Sequence, residues 1–471
     1  MLNEIGLIGL GVMGKNIALN IAEKGTFIKA FNRSQSKLNR VGKEFGEMFS
    51  GFTDLEELVD NLERPRNILL MIPSGKPTHS VVNQLSNLLD EGDVIIDGGN
   101  SFYQESVNYG EILSSGSINF IGMGVSGGEE GARHGPAIMI GSDTNLDDKL
   151  IELLSAISAK APDDCIGFYE GHGSGHFIKM VHNGIEYAEM QLITETYHLL
   201  KHAEYSNIQI AEFFESLKKI NQSSYLIEIT SEILRKKDGE SFILDLIKPF
   251  ANNKGTGKLT VETSFKLGIS APSIYAAYDA RVQSNASSTW KRAINQSEDN
   301  ILKFDSSFRK IINESHLSNA LYFGRVAAMV QGLKIIHKYG EINNLSINFS
   351  DVFKNWSGGC IIRSQMLDEL LEINNTSADF LKSESLHNLL KDNLSVVKDV
   401  VSSSILNNIS VPVLSSSLSW YLNLSSESNP SNLIQAQRDY FGSHTVQLLG
   451  SEEYIHIDWR NDEQSNTAEG S

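Results

Sequence analysis

The stretch Glu4-Ile5-Gly6-Leu7-Ile8-Gly9-Leu10-Gly11-Val12-Met13-Gly14-Lys15 decides the fold. Residues 5–10 read as a strand and 15–24 as a helix, so this Gly-x-Gly-x-x-Gly turn opens a βαβ unit. In that place the glycines permit a tight turn and let a pyrophosphate reach the helix N-terminus. The motif alone is weak, and its position between strand and helix is what makes it a dinucleotide turn.

Further strands are expected at 27–31, 67–72, 94–97, 119–122 and 137–140, with room for helices between them. That rhythm predicts a mainly parallel, doubly wound sheet. Past Gly175 helical patterns take over, notably 177–205 and 319–339, while 341–428 reads as helical scaffold with little motif content. The expected fold class is an α/β Rossmann-like N-terminal domain, then a large all-α domain and a C-terminal tail. The boundaries are 1–172, 173–430 and 431–471. The segment 432–459 carries Arg438, Tyr440, Phe441, His444 and Trp459, a composition suited to docking, and 461–471 is polar.

NAD-type sites place a carboxylate about 20 residues beyond the turn to hold the ribose 2′-hydroxyl. Here that place holds Asn32-Arg33-Ser34. Arg33 can pair with a 2′-phosphate and Ser34 can donate to it, so NADP is the expected cofactor.

The helix opened by Gly171-His172-Gly173-Ser174-Gly175 carries Lys179, His182, Asn183, Glu186 and Tyr187 on one face. Lys179 and Glu186 stand two turns apart, roughly 10 Å, which suits a base and an acid at opposite ends of one small substrate. A solvated stripe would more commonly show Lys/Glu pairs at i,i+4.

Lys+Arg 40 against Asp+Glu 58 gives a net charge of -18, which argues against nucleic acid or an anionic membrane as partner. An anionic ligand then needs a local basic pocket. No run of 18 apolar residues occurs, and the start lacks a basic segment followed by an apolar one. Cys165 and Cys360 form no disulfide framework or metal spacing. A cytoplasmic protein without a metal is expected.

With these elements in hand, the chain resembles the 6-phosphogluconate dehydrogenase (decarboxylating) family almost end to end. The motifs carrying the resemblance are Gly9–Gly14, Asn32–Ser34, Asp97-Gly98-Gly99-Asn100-Ser101, Ser126-Gly127-Gly128-Glu129-Glu130-Gly131-Ala132-Arg133, the helix at 175–187, Lys254-Gly255-Thr256-Gly257-Lys258 and Gln437-Arg438-Asp439-Tyr440-Phe441-Gly442-Ser443-His444. The dinucleotide turn, the Ser-Gly-Gly element and a Lys/Asn pair four apart belong to the wider β-hydroxyacid dehydrogenase superfamily. The phosphate-binding set is what separates this family from it.

The resemblance implies oxidative decarboxylation of 6-phosphogluconate to ribulose 5-phosphate, with NADP+ reduced. Lys179 would be general base and later acid, and Glu186 would protonate C1 of the enediol. Gly9, Leu10, Gly11, Val12, Met13, Gly14, Asn32, Arg33, Ser34, Ile72, Pro73, Ser74 and Asn100 would hold the cofactor. Asn100, Ser126, Gly127, Gly128, His182 and Asn183 would meet the carboxylate and sugar. Tyr187, Lys254, Thr256, Arg281 and Arg438 would surround the phosphate, and His444 would touch the sugar. A homodimer is implied, its tails exchanged between subunits. His134, His172 and His176 are read as structural.

Three features depart from the family: Gly11 where eukaryotic members commonly have alanine, Ile72–Ser74 without a lysine found in some, and an end unlike the longer animal tail. The alternatives are another 3-hydroxyacid dehydrogenase of the superfamily, and a non-catalytic NADP-binding homologue.

Overall fold

The computed structural model describes residues 1–252, 255–285 and 308–460. The chain divides into two compact units, Met1–Leu418 and the part from Ser419 onward.

The first unit begins with alternating strands and helices: β1 (Glu4–Ile8), α1 (Val12–Glu23), β2 (Phe27–Phe31), α2 (Gln35–Phe45), β3 (Phe49–Phe52), α3 (Leu55–Asp60), β4 (Asn67–Leu70), α4 (Lys76–Leu85) and β5 (Val94–Asp97). It continues with α5 (Tyr103–Ser114), β6 (Asn119–Ser126), α6 (Gly128–His134), β7 (Ala137–Ser142), α7 (Asp148–Ile157) and β8 (Ile166–Glu170). These strands form one eight-stranded sheet in the order β3-β2-β1-β4-β5-β6-β7-β8. The order reverses at β1, so the loops after β1 and β4 flank the crevice where such sheets bind ligands.

All six expected strands are present, and β3 and β8 are additions. Both are edge strands whose burial is partial or alternating, so neither carries a continuous apolar run. β7 runs antiparallel to β6, with Ser126 opposite Ala137, while the other neighbours are parallel. The short α6 connection explains this, because a parallel crossover needs a dozen or more residues.

Helices then dominate: α8 (Ser174–His202), α9 (Asn207–Ser216), α10 (Tyr225–Arg235), α11 (Ile243–Leu246), α12 (Thr256–Lys266), α13 (Pro272–Ser284) and a long helix, Glu314–Asn343. The helix expected at 177–205 is α8, which begins three residues earlier. α8 is buried nearly all round because it runs through the middle of the unit. Glycines let its neighbours in. A Cβ on Gly175 would meet Gly122 O at 2.3 Å, one on Gly124 would meet Lys179 Cβ at 2.6 Å, and one on Gly184 would meet the Thr260 side chain at 2.5 Å. Lys179 therefore lies directly over β6.

The second unit holds the helix Ser431–Gly442 and a small antiparallel pair, Val446–Gln447 with Tyr454–Ile455.

Candidate active site

The β1–α1 turn fits a pyrophosphate. Gly9 has φ +106°, and a Cβ there would lie 2.4 Å from Met71 O; one on Gly14 would lie 2.0 Å from Gly9 O. Gly11 faces open space, with nothing within 4 Å of a Cβ, so the alanine of some relatives would fit. Gly11 also caps α1 without a side-chain hydrogen bond, and the first turn has no acidic residue. The amides of that turn are thus set for an anion.

At the end of β2, Asn32 Oδ1 accepts from Ser34 N at 3.1 Å, and Ser34 Oγ accepts from Lys37 N at 3.3 Å as the cap of α2. Arg33 is exposed beside them, in a loop without a carboxylate. Ile72 is half-buried, and Pro73 and Ser74 are exposed, in the loop after β4 across the crevice. The donor set suits a dinucleotide carrying a 2′-phosphate.

Asp97 shapes the loop after β5. It accepts from Gly99 N at 3.0 Å and from Ser101 Oγ at 2.6 Å, leaving Asn100 exposed at the tip. His176 braces the same loop, with Nε2 3.1 Å from Gly99 O and Nδ1 2.6 Å from Ser106 Oγ. His172 bonds Phe120 O at 2.9 Å, and His134 is exposed near Glu130. A small cavity brings together Asn100, Ser101, His176, Lys179, Met180, Asn183, Thr256 and Leu259. His176 is thus both a brace and a wall.

Lys179, His182, Asn183 and Tyr187 are buried and Glu186 is half-buried, which excludes a solvated stripe. Burial lowers the Lys179 pKa, opposed by Glu186 and Cys360. Burial raises the Glu186 pKa, opposed by Lys179 and Arg281. His182 is held well below its ordinary value by burial and by Lys179, so it is neutral. Lys179 Nζ lies 3.3 Å from His182 Nδ1, and Ser126 Oγ lies 3.2 Å from His182 Nε2. Nδ1 also lies 3.3 Å from Asn183 Oδ1, so the neutral ring bridges Lys179 and Asn183 on one side and Ser126 on the other.

One helical turn on, the Arg281 guanidinium stacks 3.7 Å above the Tyr187 ring. Gly257 admits that ring, since a Cβ there would lie 2.5 Å from it. Thr256 opens α12 after Gly255 at φ +86°, and no side chain caps this helix. Tyr187, Thr256 and Arg281 thus form a cationic, donor-rich end; Lys254 lies outside the described residues. Gly127 (φ +118°) and Gly128 (φ +63°) follow β6. Arg438 and His444 are exposed in the second unit.

The scaffold reading of 341–428 missed a contribution. A Cβ on Gly127 would lie 2.4 Å from Gly359 O, and Cys360 is buried near enough to Lys179 to perturb it. Burial pushes the Cys360 thiol up to about 12, and it donates to Trp356 O at 3.1 Å. The pair Gly358-Gly359 inside a helical region was the available signal. Among the described residues, no group of three or more His, Cys, Asp or Glu is placed to hold a metal, and no helix is long and apolar enough to cross a membrane.

A doubly wound dinucleotide domain, followed by a helical domain that carries a buried lysine and a half-buried glutamate, is the make-up of a nicotinamide-dependent dehydrogenase. The chain belongs to the 6-phosphogluconate dehydrogenase family. Residues 4–169 match the NAD binding domain of 6-phosphogluconate dehydrogenase, and 175–459 match its C-terminal domain. The decarboxylating 6-phosphogluconate dehydrogenase of Lactococcus lactis is 39% identical, covering 97% of this chain and 98% of that one. Its Staphylococcus aureus counterpart is 38% identical, covering 98% and 99%. A Plasmodium falciparum 6-phosphogluconate dehydrogenase, solved apo, with NADP+ and with 6-phosphogluconate, superposes with a TM-score of 0.91 at 35% identity, covering 97% of this chain and all of that one.

Proposed function

We propose that this protein converts 6-phosphogluconate and NADP+ to ribulose 5-phosphate, CO2 and NADPH. The observation that carries the reading is the opposed state of two groups on α8, a lysine driven toward its neutral amine and a glutamate driven toward its neutral acid. Shifts in these directions bring a base and an acid toward one working pH.

Bound NADP+ supplies the hydride acceptor, held by the Gly9–Gly14 turn, Asn32–Ser34, the Ile72–Ser74 loop and Asn100. Lys179 takes the proton of the C3 hydroxyl as C3 is oxidised. The C1–C2 bond of the resulting 3-keto acid then breaks and CO2 leaves. Protonated Lys179 donates to the C3 oxygen as negative charge gathers there. Glu186 delivers its proton to C2 of the substrate, which is C1 of the enediol. Neutral His182, held by Ser126, adds no competing charge beside the lysine. Ser126, Gly127, Gly128 and Asn183 hold the carboxylate and sugar, and Tyr187, Lys254, Thr256 and Arg281 hold the phosphate.

Arg438 and His444 complete this pocket from the tail of a second copy. Support comes from the apolar hollow lined by Leu433, Ala436, Tyr440, Phe441 and Trp459, the kind of surface that mates with another chain. The working partition is 1–172 for cofactor, 173–430 for substrate and dimer contacts, and 431–471 for the tail. A cytoplasmic site of action fits two buried, unpaired cysteines.

The test is cofactor reduction with purified protein. We expect NADPH and CO2 in equal amounts from 6-phosphogluconate, with NADP+ preferred over NAD+. Reduction with an unphosphorylated 3-hydroxyacid but not with 6-phosphogluconate would favour a sister dehydrogenase. NADP+ binding without turnover would favour a non-catalytic homologue.

A further inference from the structure

We infer that Gln435 and Asp439 are positioning residues that hold Arg438 and His444 at a fixed spacing. The inference rests on the tail reading proposed above and assigns what makes that tail competent.

Gln435 and Asp439 are one turn apart on the helix Ser431–Gly442. Gln435 Oε1 accepts from the Arg438 guanidinium at 3.0 Å. Its Nε2 donates to His444 O at 3.2 Å and to Thr445 O at 2.7 Å. A single amide therefore links both ligand residues.

Asp439 is fully buried in a unit whose large apolar side chains are mostly exposed, including Leu433, Phe441 and Leu449. Its carboxylate gathers four donors. Oδ1 accepts from Thr445 N at 2.8 Å and from His456 Nδ1 at 2.9 Å. Oδ2 accepts from Ile457 N at 3.0 Å and from Trp459 Nε1 at 2.9 Å. Those bonds hold its pKa down at about 2 against burial, so the hub stays ionised.

The backbone around His444 explains why a brace is needed. Ser443 and Thr445, on either side of it, have φ +50° and +57°. Neither is glycine, and Thr445 is β-branched, so both occupy a region such side chains disfavour. The bonds from Asp439 and Gln435 to Thr445 fix the strained turn and aim His444 relative to Arg438. Unbraced, the segment would relax and the two ligands would lose their spacing before substrate arrives.

The experiment compares Asp439→Asn, Gln435→Met and Arg438→Ala in the full-length protein. Measured are kcat, KM for 6-phosphogluconate, KM for NADP+ and the unfolding midpoint. Asp439→Asn turns one acceptor oxygen into a donor facing two donors. It should raise KM for 6-phosphogluconate by about tenfold or more, the loss expected for a charged hydrogen bond. Gln435→Met keeps length but removes the bridge and should act in the same direction. KM for NADP+ should stay within about twofold in both, and kcat should change less than the substrate KM. Equal shifts in both KM values, or a substrate KM near wild type while Arg438→Ala raises it, would overturn the inference. An unchanged substrate KM in Arg438→Ala would instead overturn the tail reading beneath it.

Discussion

Lys179 and Glu186 stand on one helix in one site, and the same physical cause shifts their protonation in opposite directions. Desolvation disfavours charge whatever its sign, so it pushes the amine to lose its proton and the carboxyl to keep one. Their mutual attraction opposes this in both groups and is the smaller effect in both. Two outcomes follow. Lys179→Met should cut NADPH formation by at least about 10²–10⁴-fold with NADP+ affinity unchanged, since the β1–α1 turn is untouched. Activity within about tenfold of wild type would remove Lys179 from the base role. In the pH profile of kcat/KM, the active form needs Lys179 without its extra proton and Glu186 with its proton, so protonation of the lysine gives an acid limb and ionisation of the glutamate an alkaline one. Glu186→Gln should abolish the alkaline limb, because an amide does not ionise, and should slow protonation of the enediol more than hydride transfer. An alkaline limb that survives would assign the acid to another group. These two residues were legible in the sequence because a period of 3.6 puts them on one face with His182, Asn183 and Tyr187. The thiol of Cys360 was not, because its approach to Lys179 depends on where a loop far along the chain returns.

Elements are joined by polar groups as well as by packing. Glu195, in α8, is buried and accepts from Val413 N at 2.9 Å and Leu414 N at 3.0 Å, capping the N-terminus of the helix Pro412–Ser425. Burial raises its pKa to about 7 despite these bonds. A carboxyl whose folded pKa is raised favours folding below the unfolded value, near 4.5, and that contribution disappears as pH rises through about 7. The amount is on the order of 3 kcal/mol. The unfolding midpoint should therefore drop between about pH 5 and pH 8, and Glu195→Gln should flatten that drop. An equally steep decline in the variant would place its origin elsewhere. The sheet teaches a related lesson about legibility. Strands with continuous buried runs, such as β4 and β5, could be read from sequence, and the edge strands β3 and β8 could not, because one face of each is wet. The antiparallel turn of β7 depends on the length of the α6 connection, which apolar periodicity does not report.

At the scale of the whole molecule, the proposed substrate would bring a phosphate dianion to an acidic chain. In the proposed pocket Arg281, stacked on Tyr187, is a described cation of the first unit. Arg438 lies in a separate unit, on a helix beside an apolar hollow that includes Tyr440, Phe441 and Trp459. A second copy supplying Arg438 and His444 would cover that hollow and complete the charge at once. Subunit exchange separates this arrangement from a tail that folds back on its own site. Lys179→Met protomers, impaired in turnover, and Arg438→Ala protomers, impaired in substrate affinity, are mixed under conditions that exchange subunits and assayed at a 6-phosphogluconate concentration far below the KM of Arg438→Ala. If the tail crosses the two-fold interface, one site in each heterodimer joins an intact Lys179 to an intact Arg438, while the other site loses both. Activity should then return to up to about half of wild type per heterodimer. If each tail serves its own subunit, every site in the heterodimer carries one lesion, and a verified heterodimer gains no activity over the two variants alone.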